Sequence, residues 1–254
     1  MTPLEETLLL CAAAFFAGLV DAVAGGGGLI QVPALFAVLP GAAPAVLLGT
    51  NKVSSIAGTL AATVRYARAV SIDWRWMSVA ATLSVAAAAL GAWTVTRLPA
   101  AFVRPLVFVL LLGVLVYSIV NRRMGLSASQ AEPHRRGEAA YAAGMGFYDG
   151  FFGPGAGALL MFGLVKWFGH GFLEAAARAR VVNLASNAGA LGVFLAAGSV
   201  DLTIGLPMAV ANIAGGYVGA STAIERGAIL IRRTFLLVVG ALIAKLAWDL
   251  ATGQ

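Results

Sequence analysis

Four charged side chains lie inside apolar stretches of this sequence, where a charge needs a specific reason. Asp21 and Lys52 belong to the first half of the chain, and Asp149 and Arg180 belong to the second. An ionisable residue in hydrocarbon is costly, so it usually faces a partner or a water-filled cavity. A desolvated ammonium attracts anions, which makes Lys52 the first candidate for holding a negatively charged substrate.

Each of these charges has an alternative interpretation. Lys52 can extend its ammonium to the membrane interface, because only about eight residues separate it from the start of its apolar segment. Asp21 and Asp149 can carry a coupling proton, pair with the two cations, or cap the helix that follows, and pairing with capping is favoured. Arg180 is expected to matter less than Lys52, because Arg178 supplies a second cation and the segment is expected to lie nearer the interface.

Glycine-rich breaks follow both aspartates. Gly25 to Gly28 interrupt the apolar sequence of the first half, and the run from Gly153 to Gly157 interrupts that of the second. In hydrocarbon an unpaired peptide group costs several kcal/mol, so a broken helix needs a reason. If a helix begins near Leu29, its first N–H groups and its positive dipole end point into the break and can hold an anion. The alternative is that the glycines only allow close helix packing.

Amide and hydroxyl side chains lie near the two cations. Asn51 and Ser55 are four residues apart and share a helix face, and Asn183 and Asn187 have the same spacing. They can donate to an anion's oxygens or bond neighbouring helices. The candidate substrate-binding residues are therefore Gly25, Gly26, Gly27, Gly28, Asn51, Lys52, Ser55, Gly153, Gly155, Gly157, Arg180, Asn183 and Asn187, with Asp21 and Asp149 as candidates for proton coupling or pairing.

The elements that must position these residues are membrane-spanning helices. The chain has 254 residues, of which 60% are hydrophobic and 11% charged, and its mean hydropathy is +0.90. Long apolar runs recur along its whole length, which predicts an all-α polytopic membrane protein without a soluble domain, since barrel strands would be short and alternating. The predicted segments are 7–24, 28–39, 44–64, 76–96 and 102–120, then 139–152, 156–168, 172–197, 203–223 and 229–250.

The second five segments repeat the first five. An ungapped repeat alignment that places Asp149 on Asp21 also places Gly153 on Gly25, Arg180 on Lys52, and Gly219 on Gly91. We therefore divide the chain into a first transmembrane repeat (1–120), a basic cytoplasmic linker (121–138) and a second repeat (139–254). Short, broken segments at matching positions of two halves point to a transport site at the midplane. We expect the two breaks to face each other within about 15 Å, across a pseudo-two-fold axis.

The distribution of arginine predicts that the repeats are inverted. Five crossings per half reverse the second copy, and the reversed arrangement leaves most arginines on the cytoplasmic side when the amino terminus is outside. The net charge of +6 and the pI near 10.0 are explained by this bias, so no nucleic-acid partner is expected. Inverted repeats with broken helices are typical of transport by alternating access.

Other chemistry has little support in the sequence. With His134, His170 and the single Cys11, neither a metal site nor a Cys-His nucleophile is predicted, and no cofactor is expected. Glu174 with Arg178, and Lys245 with Asp249, are i,i+4 pairs expected to be structural. A transporter is favoured over an enzyme, and the alternatives are an intramembrane enzyme or a structural membrane subunit.

Several of these motifs resemble the TauE/SafE family of bacterial and plant membrane transporters. They are the glycine break after Asp21, the Leu-Gly-Thr-Asn-Lys at 48–52, and their echo at 149–157 and 178–187. The second half departs from the motif, with Arg178-Ala179-Arg180 in place of Thr50-Asn51-Lys52. The resemblance implies a permease or exporter of small sulfur-containing anions such as sulfite, thiosulfate or organosulfonates. It also implies a multi-pass protein of the bacterial inner membrane.

Overall fold

The described part of the protein is all α-helical, as predicted. This computed structural model describes residues 2–120 and 135–226, with side chains for 2–113 and 136–225. Within these ranges the helices are α1 (Pro3–Ala24), α2 (Gly28–Val38), α3 (Pro44–Ala69), α4 (Trp74–Thr96), α5 (Ala100–Val120), α6 (Arg135–Phe151), α7 (Ala156–Lys166), α8 (Phe172–Ala196) and α9 (Leu202–Arg226). The predicted segment 229–250, with the pair Lys245–Asp249, lies outside the described residues.

Local capping signals set several of these boundaries. Thr2 and Glu5 form a reciprocal capping box at the start of α1, where the hydroxyl accepts from the Glu5 backbone and the Glu5 carboxylate accepts from the Thr2 backbone. Pro44 begins α3 at a position where its missing N–H costs nothing. Asp73 caps α4 by accepting from the Trp76 backbone at 3.2 Å. Helices α1 and α4 therefore begin where a side chain supplies a partner for one of their first N–H groups.

Length and hydropathy together distinguish the helices that can cross a membrane from those that are too short. Among the described helices, α1, α4, α8 and α9 are each long and apolar enough to cross a membrane. The helices α2 and α7 have 11 residues each, which gives roughly 16 Å and is well short of a span. The two short segments thus occupy matching places in the two halves, as the repeat predicts.

The most extensive helix contacts correspond when the halves are exchanged. Helix α1 packs on α9 as α6 packs on α4, and α3 packs on α9 as α8 packs on α4. The matched glycines Gly91 and Gly219 lie in these contacts, where an added Cβ would clash with the carbonyl oxygens of Phe147 and Leu19, respectively. Phe147 and Leu19 are themselves matched in the repeat alignment. The packing agrees with internal duplication, while the inverted orientation in a membrane stays a prediction.

The outer faces of the helices remain apolar. On α9, Leu206, Val210, Ile213 and Tyr217 are exposed at helical spacing. Such a stripe on a helix whose opposite side packs on α1 and α3 suits contact with lipid. Polar side chains are instead concentrated between the halves, where the candidate site lies.

Candidate functional site

The two helix breaks are in direct contact. The backbone N–H of Ala158, in the first turn of α7, donates to the carbonyl oxygen of Gly25 at 2.8 Å. Gly25 has φ +78°, and an added Cβ would overlap the Gly157 carbonyl carbon, so glycine is required there by conformation and by space. The breaks lie far closer than the expected limit of about 15 Å, which itself corresponds to one to two helix diameters.

Two ion pairs connect the halves across these breaks. Lys52 Nζ lies 2.9 Å from Asp149 Oδ1, and Arg180 Nη1 lies 2.6 Å from Asp21 Oδ2. Exchange of the halves converts one pair into the other. The Lys52 side chain is 2% exposed, so the interpretation that it extends to the membrane interface is wrong. Of the roles considered for the aspartates, pairing with a cation of the other half is observed for both.

Each aspartate also holds a second partner. Asp21 Oδ1 accepts from the backbone N–H of Gly27, the residue that precedes α2, at 3.3 Å. Asp21 therefore pairs with Arg180 and bonds the entrance of the short helix, which combines the two favoured roles. Asp149 Oδ2 accepts from the Ser186 hydroxyl on α8. With two acids and two bases, the four ionised groups sum to zero charge.

The surroundings of Arg180 and Arg178 differ. The Arg180 side chain is 0% exposed and pairs with Asp21, while its depth in a membrane stays a prediction. Arg178 is 12% exposed and bonds Glu138 at 3.0 Å and Glu174 at 2.9 Å, which confirms the predicted Glu174–Arg178 pair. Arg178 is committed to that cluster and does not duplicate Arg180. Sequence position misled here because α8 packs against α3, α4, α6 and α7 and is buried along much of its length.

A small polar cavity lies between the breaks. It offers about 20 Å³ to the centres of water molecules, which is room for one or two waters. Its lining is built mainly from predicted site residues. They are Asp21, Gly25, Gly27, Gly28, Asn51, Lys52, Ser55, Asp149, Gly153, Gly155, Gly157, Asn183 and Asn187. Gly26 and Arg180 are not among the lining residues. Arg180 contacts Asp21 and Gly157, which themselves line the cavity.

Four lining residues were not predicted: Ala17, Gln31, Thr59 and Asn212. The repeat could have identified Thr59, since the repeat alignment matches it with Asn187. Gln31 is the sole polar side chain of α2, which was a usable signal. Asn212 had no comparable signal, because it lies in an apolar run far from either break.

In the Leu-Gly-Thr-Asn-Lys motif, some residues pack α3 against its neighbours and others line the cavity. Gly49 lies against the carbonyl oxygen of Ser199, where an added Cβ has no room. The Thr50 hydroxyl accepts from the backbone N–H of Asp201 at 2.9 Å, so these two residues hold the α8–α9 connection against α3. The next two residues, Asn51 and Lys52, line the cavity. The motif thus places the buried cation on α3 next to the residues that pack α3 against the α8–α9 connection.

The asparagines of α8 bond each other. Asn187 Nδ2 donates to Asn183 Oδ1 at 2.6 Å and to the Asn183 carbonyl at 2.8 Å. Within the described residues their side chains bond α8 itself and no neighbouring helix, and both line the cavity. Among the described residues, no group of three or more His, Cys, Asp or Glu side chains is placed to hold a metal ion.

The chain is similar to known proteins of one family. Residues 10–246 match the profile of the family described as "Sulfite exporter TauE/SafE". A "Probable membrane transporter protein ORF9" from a Sinorhizobium species is 36% identical over 94% of this chain and 92% of its own length. "Probable membrane transporter protein YfcA" of Escherichia coli is 33% identical over 93% and 87%, respectively. A Haemophilus influenzae "Probable membrane transporter protein" is 30% identical over 95% and 94%. No solved structure matches the chain.

Proposed function

This chain belongs to the TauE/SafE family of membrane transporters, and on that premise we propose that it moves small sulfur-containing anions such as sulfite, thiosulfate or organosulfonates across the bacterial inner membrane. The observation that carries the proposal is the buried ammonium of Lys52 in a cavity between two broken helices. The chain's role is transport of the solute without a chemical step.

Charge balance supports an exchange at Lys52. The ammonium is neutralised by Asp149 in the present conformation, so an entering anion competes with that carboxylate for Lys52. Separation of Lys52 from Asp149 without a replacement leaves two unpaired buried charges, which is strongly unfavourable. An anion that takes the place of the carboxylate neutralises Lys52. A proton that binds Asp149 neutralises the carboxylate.

The geometry suits alternating access by movement of the two halves. Both ion pairs join one half to the other, and the breaks touch through the bond from Ala158 to Gly25. A cavity of about 20 Å³ is too small for a solute of several heavy atoms, so the halves must separate on one side to admit one. Breaking the Lys52–Asp149 pair on anion entry would loosen the same interface that has to open.

Flux into liposomes tests the proposal. Purified protein is reconstituted and supplied with sulfite, thiosulfate or sulfoacetate, with and without a pH gradient, and the solute inside is quantified and identified. We expect saturable uptake of at least one of these anions, chemically unchanged, above that of protein-free liposomes. No uptake of any of the three rejects the proposed substrate class, and recovery of a chemically altered solute favours the intramembrane-enzyme alternative.

A further inference from the structure

One buried amide in the cavity wall is left with an unused donor. Gln31 is 1% exposed, lines the cavity, and belongs to the otherwise apolar helix α2. Its Nε2 has no hydrogen-bond partner among the residues that the structure describes. A buried donor without a partner is costly, and in a binding site such a group is usually satisfied by the ligand.

The orientation of this amide is set by Asn212. Asn212 Nδ2, on α9, donates to Gln31 Oε1 at 2.8 Å, and both side chains are buried. Because the Gln31 oxygen faces Asn212, the Gln31 nitrogen is the end left for the cavity. A hydrogen bond between two buried amides therefore selects which end of Gln31 is offered to a ligand.

Asn212 is itself held in one position by two glycines. Its backbone and side-chain oxygens lie against Gly18 of α1 and Gly58 of α3, and an added Cβ at either glycine would clash with Asn212. The two glycines form a notch that accepts the Asn212 side chain and that any larger residue would fill. Gly18 and Gly58 thus contact Asn212, and Asn212 in turn bonds the oxygen end of Gln31.

The amide pair of Gln31 and Asn212 has no counterpart at the matched positions of the repeat. The repeat alignment matches Gln31 with Leu159 and Asn212 with Ser84, and leucine and serine cannot form an amide pair. The cations and aspartates are matched in the two halves, whereas the amide donor at this position is present in the first half alone. A solute in the cavity therefore meets this donor on one side, which orients an anion with several acceptor oxygens.

We propose that Gln31, oriented by Asn212, is a substrate-positioning residue that donates from Nε2 to an acceptor oxygen of the transported oxyanion. The inference rests on the proposed anion transport and adds a residue to its site. A hydrogen bond to a charged group that is lost on substitution weakens binding by about ten- to a hundredfold. The Michaelis constant for the anion should carry most of this change.

Three variants in reconstituted full-length protein test the role, with sulfite, thiosulfate and sulfoacetate as probes. Gln31→Leu supplies the residue found at the matched position and should raise the Michaelis constant about ten- to a hundredfold. Gln31→Glu keeps the acceptor for Asn212 but directs a carboxylate oxygen at the anion, so saturable uptake should disappear. Asn212→Leu is near-isosteric, adds no charge to the cavity wall and removes the donor that holds Gln31 Oε1, so the Michaelis constant should rise here too.

The control is Thr63→Val, a near-isosteric loss of a buried hydroxyl that bonds its own helix at Thr59 and does not line the cavity. Its Michaelis constant should equal that of wild type. Wild-type constants in both Gln31→Leu and Asn212→Leu overturn the role of Gln31 while leaving the transport function intact. If the wild type moves none of the three anions, the transport proposal fails, and this role fails with it. Should Gln31→Leu not fold, Gln31→Met, which keeps the length of the side chain without its donor, takes its place.

Discussion

At the scale of single residues, the site depends on charges that are paired across the halves rather than left free. Lys52 and Asp149 are 2% and 4% exposed, so each is stabilised by the other. Removing one member of a buried pair typically costs about 3–5 kcal/mol, because the remaining charge has no partner. Substitutions at these positions therefore change both stability and function, and the two effects have to be separated by paired variants.

For Lys52 we predict loss of transport that neutralising its partner does not restore. Lys52→Gln should abolish anion flux, and the double variant Lys52→Gln with Asp149→Asn should regain much of the lost thermal stability without regaining flux. Lys52→Arg keeps the charge but changes its shape, so part of the flux should remain. Uptake in liposomes and thermal unfolding in detergent measure the two properties.

The control for Lys52 is Lys166→Gln, which removes an exposed lysine at the end of α7. It should leave both flux and stability unchanged. Wild-type rate and affinity in Lys52→Gln would show that the lysine has only a packing role and that the proposed site is wrong.

Arg180 is predicted to act mainly on stability. It is 0% exposed, does not line the cavity, and pairs with Asp21, of which a fifth is exposed. Arg180→Gln should lower the free energy of unfolding by about 3 kcal/mol, the low end for a broken buried pair. The double variant Arg180→Gln with Asp21→Asn should recover most of that loss. A single variant as stable as wild type would contradict the importance of this pair.

At the scale of helices, the breaks create the site by bringing backbone groups together where two complete helices would keep them apart. The first turn of α7 bonds the break before α2 through Ala158 and Gly25. The ammonium of Lys52 lies beside the other break, 3.2 Å from where a Cβ on Gly153 would lie. The short helices α2 and α7 thus begin near the cations instead of crossing the protein.

We predict that Gly25→Ala prevents correct closure of the two breaks. Gly25 combines φ +78° with backbone atoms of Gly157 and Ala158 in the space of a Cβ. Both the left-handed conformation and the overlap oppose a side chain, so the variant should lose several kcal/mol of stability or fail to fold, about 1–3 kcal/mol of it from the conformation alone. Detergent solubility and thermal unfolding measure the effect.

Gly41→Ala is the matched control for Gly25→Ala. No atom lies within 4 Å of a Cβ added at Gly41, and its φ is not positive. This variant should unfold at the wild-type temperature. Equal stability of the two alanine variants would mean that the contact between the breaks is dispensable.

At the scale of the whole molecule, the question is how the duplicated halves lie in the membrane. The main helix contacts correspond when the halves are exchanged, and four described helices can span a bilayer. The distribution of arginine predicts opposite orientations for the two halves. Orientation relative to a membrane is a separate property from helix packing, so labelling has to establish it.

We predict that single cysteines introduced after removal of Cys11 label from opposite sides. Cysteines at Val70 and at Gln130, which lies outside the described residues, should react only from the cytoplasm, and one at Val200 only from outside. Val70 and Val200 lie directly after α3 and before α9. An impermeant thiol reagent applied to intact cells and to inverted vesicles distinguishes the sides. Reaction of the cysteines at Val70 and Val200 from the same side would mean parallel repeats.

The sequence alone determined the helices, the breaks and the identity of most cavity residues. Apolar runs, prolines and glycines act locally, so the bounds of the described helices agree closely with the predicted segments. The repeat alignment further linked Asp21 to Asp149 and Lys52 to Arg180 before any contact was visible.

The contacts between these residues became visible in the tertiary structure alone. The pairing of Lys52 with Asp149, the burial of Arg180 and the bond from Asn212 to Gln31 each depend on helices far apart in sequence. Hydropathy reports that a helix is buried but not which neighbour each face meets. That choice comes from close packing at glycine notches such as Gly18 and Gly58, where backbone shape rather than side-chain type admits one partner.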